Sequence, residues 1–262
     1  MVGLIGLAMT LAVGGMAVTT PAPAAATGKK VVIVVGPVGS NTSYFKSVAN
    51  DAAAQAAKYG AKVIKIYTPN ATWARVKYYA QGANVLIYLG HGNGWPSPYP
   101  PFQRYTKDGF GLNPKLNNGN TKVKYWGEYY VAKDINLARN SVVLLMRLCY
   151  ASGNSEPGRA NPTKSVAKQR VDNYGAGFLR TNAKVVFAQG YGKSNHIFYG
   201  LYKTNRTMKE IFWSDPSRTR SYSFSFASER TPGTTAILDP YKPSRYYRSV
   251  IGWLGFRASE WR

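Results

Sequence analysis

The feature that most constrains the fold is a repeated alternation of short β-branched runs with longer segments of helical spacing. Residues 31–35 (VVIVV) form a continuous apolar run that ends at Gly36 and Pro37. Such a run predicts a strand that is buried on both faces, as in a parallel sheet. Residues 42–59 are rich in alanine and have apolar positions at helical spacing, and Gly60 follows as a stop signal.

The same alternation continues along the chain. Further strands are predicted at residues 61–67, 83–89, 141–148 and 183–188. Further helices are predicted at residues 72–81, 165–182 and 195–213. This order predicts an α/β domain over residues 27–214, a three-layer sandwich in which helices flank a mostly parallel sheet.

Two segments depart from this alternation. Residues 95–140 are rich in Pro, Gly, Asn, Tyr and Lys, and we expect an irregular insertion of the kind that lines a site. Residues 215–262 are rich in Arg and Tyr, and residues 221–226 alternate with the period of a half-buried strand. We expect this segment to be a small β-rich C-terminal extension packed on the same domain.

The N-terminus predicts a secretory signal peptide over residues 1–26. These residues contain no Lys, Arg, Asp or Glu, and an apolar block is followed by the small residues of an A-x-A-like cleavage site near Ala26. The positively charged n-region is missing, so an uncleaved N-terminal anchor is the alternative. A secreted or cell-surface location is therefore expected, with no transmembrane segment after cleavage.

The amino-acid composition excludes several kinds of site. The 262 residues include 34 Lys and Arg against 11 Asp and Glu, a formal net charge of +23. One Cys and two His exclude an internal disulfide framework and the usual Cys/His zinc site. We therefore expect no metal ligands, and we also expect no cofactor.

The candidate catalytic residues follow successive predicted strands. His91 follows the strand at 83–89 after Gly90, and Cys149 comes directly after the strand at 141–148. Ligands of doubly wound sheets bind beyond the carboxyl ends of the strands, so these two side chains can share one cleft. An imidazole titrates near neutral pH and can act as base for a thiol. The backbone amides of Gly92 and Cys149 are candidate donors to an oxyanion.

These residues resemble the caspase/legumain/gingipain superfamily of cysteine peptidases. The matching segments are residues 85–92 (VLIYLGHG) and 142–153 (VVLLMRLCYASG), of which the second is most similar to the legumain branch. The resemblance implies a caspase-like fold, His91 as general base and acid, Cys149 as nucleophile, and the Gly92 amide in the oxyanion hole. A small residue usually precedes the nucleophile in that family, whereas this chain has Leu148 there.

Other polar residues are secondary candidates. Glu156 is the acid nearest to Cys149 in sequence, and Asp172 lies on the following predicted helix; either could orient a histidine or line a specificity pocket. The alternative for both is pairing with the surplus of basic residues. His196 opens a predicted helix and could replace His91 as the base, although a surface or capping role is the simpler interpretation.

The basic charge supports a second hypothesis of a different class. Net positive charge favours contact with polyanions such as cell-wall polymers or nucleic acid, although no specific nucleic-acid motif is present. Tyrosines accompany the basic residues of the extension, a combination that can bind sugars or single strands. The candidate residues are Arg218, Arg220, Lys242, Arg245 and Arg248. The two hypotheses are thus an exported cysteine endopeptidase with a peptide or protein substrate, and a noncatalytic surface protein that binds an anionic polymer.

Overall fold

The computed structural model describes residues 1–2 and 28–262, so residues 3–26 of the predicted signal peptide lie outside the described part. Ten strands are found there: β1 (Lys30–Val35), β2 (Lys62–Tyr67), β3 (Val85–Leu89), β4 (Phe110–Leu112), β5 (Lys124–Trp126), β6 (Ser141–Met146), β7 (Ala183–Gln189), β8 (Phe224–Ala227), β9 (Thr235–Leu238) and β10 (Arg248–Gly252). The described helices are α1 (Thr42–Lys58), α2 (Trp73–Ala80), α3 (Glu128–Asp134), α4 (Lys164–Leu179), α5 (Asn195–Lys203), α6 (Met208–Trp213) and α7 (Ala258–Trp261).

Eight of these strands form one sheet in the order β2-β1-β3-β6-β7-β10-β9-β8. The first five in this order are parallel to one another, as their buried β-branched runs predict. Strand β10 joins β7 in antiparallel register, with Val250 opposite Phe187, and β9 and β8 follow it outwards. The C-terminal extension therefore completes the central sheet.

Helices cover both faces of this sheet. On one face, side chains of alternate strand residues such as Val32, Leu86 and Val143 pack against α2, α3 and α4. On the other face, their neighbours pack against α1, α5, α6 and α7. The central strands β1, β3, β6 and β7 bury both of their faces, whereas the edge strands β2 and β8 are partly exposed. The sheet lies between two helical layers, and the expected three-layer α/β sandwich is confirmed.

Two local expectations need correction. The single helix predicted over residues 195–213 is two helices, because Thr207 and Glu210 form a capping box that starts α6 anew. The insertion at 95–140 contains regular structure, since β4 and β5 form a small antiparallel sheet that is followed by α3. No helix in residues 28–262 is long and apolar enough to cross a bilayer.

Candidate functional site

The sheet brings the His91 loop and the Cys149 turn to the same edge. Strands β3 and β6 are paired in parallel, with Leu89 opposite Met146 at their carboxyl ends. His91 and Cys149 follow two and three residues later, respectively. His91 and Cys149, the two residues that the sequence predicts in a cleft at this edge, therefore follow neighbouring strands of the sheet.

Gly92 lies directly against the backbone of Cys149. A Cβ atom at position 92 would overlap the Cys149 carbonyl oxygen and would stand 2.9 Å from the Cys149 amide nitrogen. Only glycine fits at such a close approach of two backbones. The contact fixes the segment that carries His91 against the turn that carries Cys149.

The turn around Cys149 has an unusual backbone. Arg147 still donates its N–H to the Gln189 carbonyl at 2.8 Å, which continues the β6–β7 ladder by one residue. Arg147 and Tyr150 then adopt left-handed φ angles of 63° and 71°. Each such residue costs about 1 kcal/mol or more, and strain of this kind clusters at functional sites. The left-handed residues flank Cys149 and turn the chain sharply at the end of the strand.

Two backbone amides where the His91 loop meets the Cys149 turn make no hydrogen bond to another described residue. Within residues 28–262, neither the Gly92 amide nor the Cys149 amide donates a hydrogen bond to another residue. The Cys149 amide faces its own sulfur closely enough to lower the pKa of that thiol slightly. Unpartnered amides next to a nucleophile are the arrangement that stabilises an oxyanion. The assignment of the Gly92 and Cys149 amides to an oxyanion hole stays a prediction.

Burial disfavours the charged forms of both the Cys149 thiol and the His91 imidazole. Burial raises the pKa of Cys149 to about 11, with a further contribution from the Glu156 carboxylate, while Arg170 opposes them. Partial desolvation lowers the pKa of His91 although its side chain is exposed, and Glu156 opposes that shift. A neutral imidazole can accept a proton, so the thiol would lose its proton only as it attacks.

The insertion holds the His91 loop in place. Tyr88 donates its hydroxyl to the His91 carbonyl at 2.9 Å, and Asp108 accepts from the Trp95 amide at 3.0 Å. Asn93 receives the Lys107 ammonium at 2.9 Å on its side-chain oxygen. Sequence analysis missed Asp108 and Lys107, because an irregular segment gives no period from which to place a buried charge.

Glu156 lies close to the predicted dyad. Its carboxylate accepts from the hydroxyl of Tyr150 at 2.7 Å and from that of Tyr99 at 3.2 Å. The two tyrosines belong to the Cys149 turn and to the insertion, so Glu156 joins the two sides of the cleft. It also acts electrostatically on both His91 and Cys149.

Asp172 is engaged elsewhere, which corrects its assignment to the cleft. Both of its carboxylate oxygens accept hydrogen bonds from residues 228–230, including Ser228 Oγ at 2.5 Å and the Glu229 amide at 2.9 Å. A carboxylate with both oxygens occupied by one loop anchors that loop. Asp172 therefore ties α4 to the C-terminal extension and does not orient a histidine.

His196 does not have the surface role expected for it, because its side chain is largely buried. Its Nε2 lies 3.3 Å from Gln189 Nε2 and 3.6 Å from Asp215 Oδ2, in a nearly closed environment. Burial lowers its pKa to about 4, and the nearby Arg248 acts in the same direction. No contact links His196 to Cys149 in the described residues, and the pairing of His91 with Cys149 stays a prediction.

The predicted polyanion-binding residues divide into two groups. Four of them have exposed side chains: Arg218, Arg220, Lys242 and Arg245. Arg248 is buried, where its guanidinium pairs with Asp215 at 3.1 Å and with Asp239. Its inclusion in a binding surface was wrong, because β10 is buried along its whole length and two carboxylates compensate the charge of this side chain.

Comparison with known proteins adds a distant similarity of fold. No protein-family model and no curated protein matches the chain. The chain is similar to a secreted C11 cysteine protease from Bacteroides thetaiotaomicron called iotapain, with 15% identity, a TM-score of 0.39 and coverage of 81% of this chain and 67% of that chain. It is also similar to a short-chain flavodoxin associated with a non-canonical PDU bacterial microcompartment, with 11% identity, a TM-score of 0.29 and coverage of 60% and 77%. At these values neither likeness bears on activity.

Proposed function

We propose that the protein is an exported cysteine peptidase that uses Cys149 as nucleophile and His91 as general base and acid. The observation that carries the proposal is the contact of Gly92 with the Cys149 backbone, because it joins the segments of the two candidate residues, whose Gly92 and Cys149 amides donate to no other residue in residues 28–262. The fold alone would not support an activity, since the same scaffold can host unrelated functions.

The chemistry follows from these groups. His91 accepts the thiol proton as the sulfur of Cys149 attacks the peptide carbonyl, and the Gly92 and Cys149 amides receive the oxyanion. His91 then returns the proton to the leaving amine, and a thioester remains. Water hydrolyses the thioester with His91 again acting as base, which regenerates the thiol and releases the acid product.

The experiment compares the protein with single variants on a peptide library, at pH 5 to 9. We expect cleavage by the unaltered protein, and a loss of about 10²- to 10⁴-fold in kcat/KM for both Cys149→Ala and His91→Ala. His196→Gln is the matched control, because it changes the second histidine and should leave cleavage nearly unchanged.

Two results would overturn the peptidase. The first is cleavage that persists in Cys149→Ala. The second is a folded protein that neither cleaves any peptide nor forms a covalent adduct with peptidyl acyloxymethyl ketones, as read by intact mass. An adduct that forms on Cys149 and requires His91 would support the proposal even where the peptides of the library are cleaved slowly.

A noncatalytic role in binding anionic polymers is the second candidate. It is favoured by the exposed cations of the extension and by the stacked rings of Tyr241 and Tyr247, whose centroids are 6.1 Å apart. Lys242 also lies 5.8 Å from the centroid of Tyr241. This candidate expects salt-sensitive binding of polyanions that survives Cys149→Ala and weakens when Lys242 or Arg245 is replaced by Met.

A further inference from the structure

A cavity of about 440 Å³ opens beside Cys149 at the carboxyl edge of the sheet. Its wall includes the Cys149 turn, the end of β7 and the segment before β10. Four charged side chains line it: Arg147, Arg159, Arg245 and Glu156. Three guanidinium groups against one carboxylate give the cavity a positive potential.

Arg147 is the most constrained of these cations. Its guanidinium lies between two tyrosine rings, 5.2 Å from the centroid of Tyr44 and 5.8 Å from that of Tyr191. Its Nε is buried without a hydrogen-bond partner, and no carboxylate pairs with it in residues 28–262. A half-buried guanidinium without an anion has hydrogen-bond donors that are not paired within the protein.

Two arginines elsewhere in the protein, Arg170 and Arg248, are buried and have several partners within the chain. Arg170 donates to three backbone carbonyl groups and to the Ser155 hydroxyl. Arg248 is paired with Asp215 and Asp239 and also donates to the Phe212 carbonyl. Arg248 Nε, like Arg147 Nε, makes no hydrogen bond, but Arg248 faces two carboxylates, whereas Arg147 has no carboxylate partner in residues 28–262.

Glu156 does not supply the missing anion. Its two carboxylate oxygens are engaged by the hydroxyls of Tyr150 and Tyr99, and its nearest cation is Arg159 at 4.0 Å. The remaining positive charge must be compensated by solvent ions or by a ligand. A planar guanidinium with free donors matches a carboxylate, which it can bind through two parallel hydrogen bonds.

We propose that this cavity is a subsite for a carboxylate of the substrate, bound by Arg147 next to the peptide bond presented to Cys149. The inference rests on the proposed peptidase function and adds the substrate class. The carboxylate can come from an Asp or Glu side chain or from a free C-terminus. A Lys or Arg side chain is disfavoured there, because three guanidinium groups would repel it.

The test measures binding to the full-length Cys149→Ala variant by isothermal titration at fixed salt. Three N-acetylated pentapeptides are compared: Ala-Ala-Glu-Ala-Ala with an amidated C-terminus, the amidated peptide with Gln in place of Glu, and that Gln peptide with a free carboxylate. We expect the first or the third peptide to bind at least about ten-fold more tightly than the second. Whichever does so identifies the source of the carboxylate.

Arg147→Met and Arg139→Met are the paired variants, each made in the Cys149→Ala background. Both remove one positive charge, but Arg139 is exposed and precedes β6 at the opposite edge of the sheet. We expect Arg147→Met to abolish the preference for the carboxylate and Arg139→Met to keep it. The comparison of Glu with Gln peptides uses an unaltered Arg147, so it stands even where Arg147→Met does not fold.

Three outcomes separate the subsite from the peptidase. Equal binding of all three peptides, or a preference that persists in folded Arg147→Met, overturns the subsite. Cleavage of the library without a preference for acidic groups overturns the subsite and leaves the peptidase standing. A carboxylate preference that depends on Arg147, in a protein that does not cleave or form an adduct, supports the subsite as a binding pocket and overturns the peptidase.

Discussion

Two clusters of polar residues at the carboxyl edge of the same sheet differ in how many of their polar groups have partners within the protein. Around Arg248, His196 and Asp215, nearly every charge has a partner inside the protein. Around Cys149, two amides, one guanidinium and an exposed imidazole are without partners in the described residues. Satisfied polar groups hold a fold together, whereas unsatisfied ones are available to a ligand. The Arg248 cluster is therefore the more fully paired of the two, and the proposed peptidase site lies at the less fully paired one.

The largest effect on stability is expected from Arg248→Met. The substitution leaves the carboxylates of Asp215 and Asp239 buried without their main cation, so we expect a loss of about 3–5 kcal/mol in the free energy of unfolding. Urea denaturation measures it directly. Arg147→Met is the matched change at the other cluster, and we expect it to alter stability by less than about 0.5 kcal/mol. Equal losses for the two variants would contradict the distinction between the clusters.

A smaller effect is expected from the titration of His196. Its pKa is lowered to about 4 from the usual 6.5, so the folded state binds fewer protons than the unfolded state between these values. The resulting stability is fully present above about pH 6.5 and is lost as the pH falls towards 4. The loss amounts to about 3 kcal/mol.

The control for this pH dependence is His196→Gln, which cannot titrate in this range. Urea unfolding of both proteins between pH 4.5 and 7.5 should show that the unaltered protein loses stability more steeply on acidification. Parallel curves for the two proteins would mean that His196 is not held neutral by burial beside Arg248.

The smallest effect is expected from Glu156→Gln at the Cys149 edge. Removing this carboxylate should lower the pKa of Cys149 and also that of His91, because its charge raises both. Alkylation of Cys149 by iodoacetamide at pH 8 should therefore become roughly two- to five-fold faster. An unchanged or slower rate would mean that Glu156 does not act on the thiol through its charge. Glu229→Gln, on the loop anchored by Asp172, provides a control for the loss of one negative charge.

Much of the architecture can be predicted from local patterns. The run at residues 31–35 is apolar at every position, and such a run is stable only where both faces are covered. The positions of His91 and Cys149 at strand ends follow from the same reasoning, since parallel strands share a carboxyl edge. The break between α5 and α6 was missed, because the capping box at Thr207 and Glu210 lies within an otherwise helical period.

The roles of individual charges were harder to predict. Asp172 and Arg248 are surface-type residues by composition, yet each is buried with its partners on other elements, Ser228 for the first and Asp215 for the second. Such partners are 56 and 33 residues away in the chain, and a one-dimensional pattern does not bring them together. The same holds for Asp108, whose carboxylate reaches back to the Trp95 amide from within the insertion.

The sequence by itself determined the layers of the sandwich and the edge of the sheet at which His91 and Cys149 lie, because hydrophobic periodicity and strand order are local properties. Only the tertiary structure decided which charged side chains are paired within the protein and which remain without a partner. Arg147 and Arg248 are alike in sequence terms, and their difference arises because packing places two carboxylates beside one and an open cavity beside the other.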